Sequence, residues 1–207
     1  MIDALAGVAA GVADGPSLVF VAGPNGSGKS TFFAEYLAPL GLPYVNADEI
    51  ARWLRASDPE ASTTDLDRRA FREAERLRAA LLEAGVSFAT ETVFSDPVGA
   101  KLRFLRSARR RGFATFLVFI CLESAALSIA RVHQRTQQGG HDIPDATLRA
   151  RYPRTLANLR AAIPLVDEAF LFDNSSFETP YRIVAVYRDG ALVSRHPPLP
   201  GWTRGLP

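Results

Sequence analysis

One cysteine, two lysines and no long apolar run are the conspicuous shortages in this 207-residue chain. A lone cysteine, Cys121, excludes an intrachain disulfide. It sits inside an apolar stretch, which suits a small buried core residue better than a nucleophile. No run reaches the length of about 20 apolar residues that a membrane-crossing helix needs. The N-terminal Met-Ile-Asp-Ala-Leu-Ala-Gly-Val-Ala-Ala has an acidic residue where a secretory signal carries basic ones, so the cytoplasm is expected and no membrane partner is. There is no internal repeat and no low-complexity segment. With 24 Lys and Arg against 22 Asp and Glu, the net charge of +2 is too mild to argue for a nucleic-acid partner. An apolar content of 47% and a charged content of 22% are ordinary for a globular protein of one domain.

Because only Lys29 and Lys101 are lysines, the position of the first is informative. Leu18 to Thr31 reads Leu-Val-Phe-Val-Ala-Gly-Pro-Asn-Gly-Ser-Gly-Lys-Ser-Thr, an apolar strand running into a helix. Four residues separate Gly23 from Gly28, and Lys29 and Ser30 follow at once, which is the spacing of a phosphate-cradling loop. Glycines let backbone N–H groups converge on an anion, and the helix beginning near Lys29 aims its positive end at the same spot. In such a loop Lys29 neutralises the β- and γ-phosphates, and the Ser30 hydroxyl is a ligand for Mg²⁺. The loop residues Gly23, Pro24, Asn25, Gly26, Ser27, Gly28, Lys29, Ser30 and Thr31 are thus the expected ATP-binding stretch.

The rest of the chain alternates strands and helices, which implies a parallel sheet. Residues 1 to 15 suit a short helix. Phe32, Phe33, Tyr36 and Leu37 belong to a buried helix stopped at Gly41 and Pro43, and Tyr44 and Val45 begin a second strand. A helix with a capping box at Thr64 and Asp67 carries an inward stripe of Leu66, Ala70, Phe71, Ala74, Leu77 and Leu81, its charged residues forming a solvated face. Ser87 to Thr90 is the third strand. Asp96 caps a helix with Pro97 at its first position and Val98, Leu102, Leu105 and Ala108 inward. Arg109, Arg110 and Arg111 suit a helix C-terminus, the alternative being a nucleic-acid patch. Phe113 to Leu122 is a doubly covered strand. Ser124 to Gln138 is a helix ended by Gly139 and Gly140, and a further helix from Asp145 toward Ile163 is disturbed at Pro153. Ala169 to Phe172 makes a fifth strand. Tyr181 to Tyr187 and Ala191 to Ser194 make a terminal hairpin around Asp189-Gly190, followed by an irregular tail.

Polar residues at strand ends supply the remaining chemistry, because open α/β sheets bind ligands at their carboxyl edge. Asn46-Ala47-Asp48 follows the second strand. Asp48 suits a general base for an attacking hydroxyl, or a helix N-cap. Glu91 and Thr92 end the third strand, where a carboxylate can bind acceptor hydroxyls; a surface charge and an indirect magnesium partner are the alternatives. The fourth strand ends in Glu123 rather than Asp, which argues against a motor or switch ATPase. Arg131 and Arg135 share a helical face beside Gly139-Gly140-His141-Asp142-Ile143-Pro144, as a closing lid requires, with Arg151 and Arg154 in reserve. His141 suits a hydrogen-bonding lid residue.

The loop, Asn46-Ala47-Asp48, Glu91-Thr92, Arg131 and Arg135 ahead of the glycine-hinged segment, Arg151-Tyr152-Pro153-Arg154 and Asp173-Asn174-Ser175 resemble, in this order, the zeta-toxin kinases and their stand-alone relatives, over about residues 16 to 176. The resemblance implies an ATP- and Mg²⁺-dependent kinase of a sugar hydroxyl on UDP-N-acetylglucosamine. It makes Asp48 the base, Lys29 with Arg131 and Arg135 the γ-phosphate clamp, Asn46, Glu91 and Thr92 substrate contacts, and Asp173 and Asn174 neighbours of the nucleotide base. It also brings an antitoxin protein into view as a partner. The expectation is therefore a three-layer α/β P-loop kinase: one domain over 1–207, a lid over about 131–155, a hairpin and tail over about 180–207, and a small-molecule acceptor. Kinases of another sugar, an antibiotic or a nucleic-acid end, and a nucleotide-binding regulatory module, are the competing readings.

Overall fold

The computed structural model describes residues 2–137 and 143–207. The strands are β1 (Ser17–Ala22), β2 (Tyr44–Val45), β3 (Phe88–Thr92), β4 (Ala114–Cys121), β5 (Glu168–Asp173), β6 (Arg182–Arg188) and β7 (Ala191–Arg195). They form one sheet in the order β2-β3-β1-β4-β5-β6-β7. The first five are mutually parallel, while β6 and β7 run antiparallel as the expected hairpin, now seen as the far edge of the same sheet.

The near-continuous apolar runs of β1 and β4 follow from burial on both faces. Successive side chains point to opposite sides, so each run divides between two cores. Leu18, Phe20 and Ala22, with Leu117, Phe119 and Cys121, join one core. That core is roofed by α4 (Thr63–Glu83), α5 (Ala100–Arg110) and α7 (Asp145–Ala162) through Ala74, Leu105 and Leu159. Val19, Val21, Phe116, Val118 and Ile120 join the other, beneath Val8 of α1 (Ile2–Asp14) and Phe32, Phe33 and Leu37. Each large apolar side chain buried this way contributes about 1.5–3 kcal/mol. The three layers are helix, sheet, helix.

The chain leaves β1 for β2, returns to β3, and then crosses to β4 on the other side of β1. Such a reversal of direction beside a central strand opens a crevice at the carboxyl edge of the sheet. The loop after β1 lies there, flanked by the ends of β3 and β4.

Several local expectations are corrected. The helix after the loop, α2 (Lys29–Phe32), is regular for four residues and gives way to a π turn (Phe33–Leu37) and a 3₁₀ turn (Ala38–Leu40). The cap of α4 is Ser62 rather than a Thr64–Asp67 box, and Asp67 instead pairs with Arg55 of α3 (Ala47–Ser57). Phe71 is 56% exposed and Val98 68%, so neither belongs to an inward stripe. Val98 precedes its helix, since α5 begins three residues after Pro97, yet Asp96 Oδ1 still caps it by accepting the N–H of Ala100 at 2.8 Å. Pro153 does not interrupt α7, because Pro153 and Arg149, whose carbonyl loses its partner, both face water. Arg109 pairs with Asp167 and Asp189, which makes it part of the fold's charge pairing rather than of a basic patch. The tail carries order too: Trp202 is buried against Phe119, with ring centroids 6.0 Å apart.

Candidate active site

Between β1 and α2 the backbone turns around the expected anion-binding loop. At Gly23, φ is +148° and a Cβ would lie 1.9 Å from the Ile120 carbonyl oxygen, so no other residue fits between the loop and β4. Gly28 has φ +88° and admits Asn174 Nδ2 and Tyr181 Oη to within 2.7 and 2.8 Å of where its Cβ would be. Those two side chains grip the loop from the β5–β6 connection. Asn174 Nδ2 donates to the Ser27 carbonyl at 2.9 Å and Tyr181 Oη to the Gly28 carbonyl at 3.0 Å. From the helix after β4, α6 (Ala125–Gln137), Ser128 Oγ donates to the Asn25 carbonyl at 2.6 Å. With its carbonyls held outward, the loop keeps amides for a bound anion.

Lys29 is buried, and its Nζ donates to the Pro24 carbonyl at 2.9 Å while standing 4.0 Å from Glu91 Oε1. Burial pushes the ammonium below the ordinary lysine range, and Glu91 and then Asp48 oppose that shift. Ser30 and Thr31 are exposed beyond it, at the start of α2.

Glu91 is the hub. Its Oε2 accepts from Ser30 Oγ at 2.9 Å, Tyr44 Oη at 2.5 Å and Asn46 Nδ2 at 3.3 Å. The Tyr44 ring lies flat on Phe33, with centroids 3.6 Å apart and planes 7° from parallel, and burial together with Glu91 pushes its phenol well above the usual range. Tyr44 is therefore a constant donor. Behind the strand, Arg78 of α4 donates from Nε to Thr90 Oγ1 at 2.6 Å and from its terminal nitrogen to the Glu91 carbonyl at 3.2 Å. Glu75 pairs with both Arg78 and Lys101. This corrects the solvated-face reading of α4 at one position. The buried residues Leu66, Ala70, Ala74, Arg78 and Leu82 recur every fourth position, the signal by which Arg78 could have been found. Tyr44 carried no signal beyond opening a strand.

Asn46, not Asp48, caps α3, since its Oδ1 accepts the Asp48 N–H at 2.9 Å. The Asp48 carboxylate is left exposed on the first turn, within electrostatic reach of Lys29 and Arg151. Thr92 Oγ1 accepts the Phe94 N–H at 3.2 Å, and Phe94, at φ +61°, turns the chain off the strand. Alongside, α3 and α4 wall a groove of about 700 Å³ between Glu49, Ile50, Trp53, Leu54, Arg69 and Arg72, with Trp53 68% exposed.

The two arginines of α6 face different surroundings. Arg135 is exposed and close enough to Lys29 to depress it. Arg131 turns to the β5–β6 connection, donating to the Ser175 carbonyl at 3.2 Å and covering the Phe177 ring at 4.8 Å. On α7, Arg151 is half-buried, and burial and then Arg154 push its guanidinium below the ordinary range, with Asp48 opposing. Arg154 is exposed. Gly139, Gly140, His141 and Asp142 lie outside the described residues. Asp173 accepts from Ser175 Oγ at 2.6 Å, Trp202 Nε1 at 3.4 Å and Arg182 at 3.3 Å, so its carboxylate ties the end of β5 to the hairpin and tail.

Glu123 at the exit of β4 accepts the Gly201 N–H at 3.1 Å and takes no part in the loop. The carboxylate beside the loop comes from the other neighbour of β1. Ser30 Oγ and Glu91 Oε2 are hard oxygen donors that fit Mg²⁺, an ion that usually keeps several waters and is shared with phosphate oxygens. Among the described residues no group of three or more His, Cys, Asp or Glu side chains forms a metal cage.

A family model described as an AAA domain matches residues 18–153, more than half of the chain. An uncharacterized protein of Haemophilus influenzae (strain ATCC 51907 / DSM 11121 / KW20 / Rd) is 25% identical over 134 residues, covering 65% of this chain and 91% of that one. Among solved structures, the AvrRxo1-ORF1:AvrRxo1-ORF2 complex with sulphate ions superposes with a TM-score of 0.70 at 18% identity, covering 94% of this chain and 67% of that chain. The same complex with ATP gives 0.69 at the same identity and coverage. A structure of the PezAT toxin-antitoxin system of Streptococcus pneumoniae gives 0.56 at 14% identity, covering 83% of this chain and 75% of that one. The architecture they share with this chain is the P-loop NTPase and kinase fold.

Proposed function

This chain belongs to the AAA domain family, and we propose that within it the protein is an ATP-dependent kinase that transfers the γ-phosphoryl group to a hydroxyl of a small acceptor, UDP-N-acetylglucosamine being the first candidate. One observation carries this reading. Lys29, Ser30 and Glu91 converge at the phosphate loop while Asp48, relieved of capping by Asn46, stands free on the next helix of the same sheet edge.

In this reading the loop amides and Lys29 hold the triphosphate in line with the acceptor. Asp48 takes the proton from the acceptor hydroxyl as its oxygen bonds to the γ-phosphorus and the bridging oxygen leaves with ADP. Mg²⁺, held by Ser30 with Glu91 behind it, would neutralise charge between the β- and γ-phosphates. Arg135 closes over the same charge, with α6 and α7 forming the lid of one 1–207 kinase unit. Asn46, Glu91 and Thr92 border the acceptor. The groove between α3 and α4 is lined by Glu49, the chain neighbour of Asp48, and offers a Trp53 ring and arginine charge, which suit the base and diphosphate of a nucleotide sugar.

The resemblance to zeta-toxin kinases supports the acceptor, and the likeness in fold to the PezAT toxin-antitoxin system supports an antitoxin partner. No described helix is long and apolar enough to cross a membrane, and the cytoplasm is part of the same proposal. The test is incubation with ATP and Mg²⁺ against a panel of acceptors including UDP-N-acetylglucosamine, read by product mass. A gain of one phosphoryl group on that sugar nucleotide is expected. A gain on another metabolite alone replaces the acceptor, and no gain on any acceptor removes the kinase assignment.

A further inference from the structure

Arg78 lies among the buried residues of α4, 4% exposed, where its spacing from Ala74 and Leu82 calls for an apolar side chain. A guanidinium in that place gives up its hydration, a loss that an apolar residue packed there does not suffer. Its charge is balanced by Glu75, which also holds Lys101. What the guanidinium gains is a pair of bonds that no apolar residue makes. Nε donates to Thr90 Oγ1 at 2.6 Å, and a terminal nitrogen donates to the Glu91 carbonyl at 3.2 Å.

Those two acceptors stand at a fork. Val45 and Thr90 are the last paired residues of β2 and β3. Beyond them β2 departs through Asn46 into α3, while β3 continues beside β1 with Glu91 against Val21. Thr90 Oγ1 donates in turn to the Val45 carbonyl at 2.8 Å, so Arg78, Thr90 and Val45 form one chain of bonds across the point of separation. On the other side of the fork, Tyr44 Oη and Asn46 Nδ2 reach Glu91 Oε2. Successive side chains of a strand point to opposite faces. Thr90 therefore turns to α4 and Glu91 to the phosphate loop, and Arg78 reaches Glu91 through the main chain alone.

We propose that Arg78 is a positioning residue: by clamping the fork of β2 and β3 it fixes the Glu91 carboxylate, and with it Ser30, for ATP bound with Mg²⁺. The inference rests on the reading of this chain as a kinase that uses both. A carboxylate beside a metal site orients its neighbours only as firmly as its own backbone is held.

The test measures ATP affinity by calorimetry in Mg²⁺ and in EDTA, together with thermal unfolding, for wild type, Arg78→Met, Thr90→Val and Leu82→Ala. Arg78→Met and Thr90→Val are each also combined with Glu91→Gln. Arg78→Met keeps an unbranched stem and leaves Glu75 paired with Lys101. Arg78→Met and Thr90→Val should each cut the gain in affinity that Mg²⁺ confers about tenfold, with affinity in EDTA unchanged. In the Glu91→Gln background neither should cut it further, because the effect runs through that carboxylate. Leu82→Ala, a cavity on the same helix, should lower the unfolding temperature and leave the gain as it is. An undiminished gain in Arg78→Met, an equal loss in Leu82→Ala, or a further loss on top of Glu91→Gln would each overturn the role. If Arg78→Met does not fold, Thr90→Val decides on the same readings. A wild type that binds ATP equally with and without Mg²⁺ removes the metal reading and the positioning role with it, whereas the expected wild-type gain with unaltered variants removes the positioning role alone.

Discussion

The Ser30 hydroxyl donates to Glu91 Oε2 at 2.9 Å, joining the helix that follows the phosphate loop to the strand beside it. In this arrangement the hydroxyl expected to meet a metal ion is held by the carboxylate that stands behind it, with Tyr44 and Asn46 holding the same oxygen from the other side.

Glu91→Gln should therefore reduce the gain in ATP affinity that Mg²⁺ confers by about tenfold, because a neutral amide neither attracts the ion nor orients Ser30 as a carboxylate does. Affinity measured in EDTA should hold or rise. Calorimetry with and without Mg²⁺ gives both values, and an unchanged ratio between them would detach Glu91 from the metal.

Asp48→Ala should abolish phosphoryl transfer, a loss of about a thousandfold or more, while ATP affinity stays within about threefold of wild type. The carboxylate is exposed and caps nothing, so the fold should be unaffected. Product mass and ATP titration on the same preparation check the two halves. Undiminished phosphorylation would take Asp48 out of the mechanism.

Gly23→Ala should cost several kcal/mol or prevent folding, since its Cβ would meet the Ile120 carbonyl oxygen at 1.9 Å at a φ of +148°. Gly85→Ala is the control. It shares a positive φ, +66°, but has nothing within 4 Å, so its cost should be only about 1 kcal/mol. Urea unfolding of the two variants separates collision from backbone strain.

Burial pushes the Cys121 thiol above the ordinary range. Its contribution to stability should be complete below the unfolded pKa of about 8.5 and fade as pH rises, because the unfolded thiol ionises first. The folded protein at pH 8 should leave a disulfide reagent unreacted, and one thiol should react in denaturant. Fast reaction in the native state would place Cys121 at an accessible surface.

Much of this could be read from the chain alone. The apolar runs of β1 and β4, the spacing of the loop and the polar strand ends of β2 and β3 are local patterns, and local patterns survive into the fold. Partnership was not legible. That β3 and β4 both neighbour β1, so that Glu91 rather than Glu123 supplies the carboxylate beside the loop, depends on strand pairing across some 70 to 100 residues. Arg78 was hidden by its charge, although its four-residue spacing from Ala74 and Leu82 placed it inward. Phe71 and Val98 erred in the opposite direction, apolar residues left more than half exposed.

The grip of Asn174 and Tyr181 on the Ser27 and Gly28 carbonyls spans 147 and 153 positions of the chain. During synthesis, then, a ribosome that has released the phosphate-loop motif has not yet released the side chains that give it shape. The shape of the loop arrives late, with the last strands rather than with the motif. A nascent chain stalled before Tyr181 would carry every residue of the loop and still lack the side chain that holds the Gly28 carbonyl.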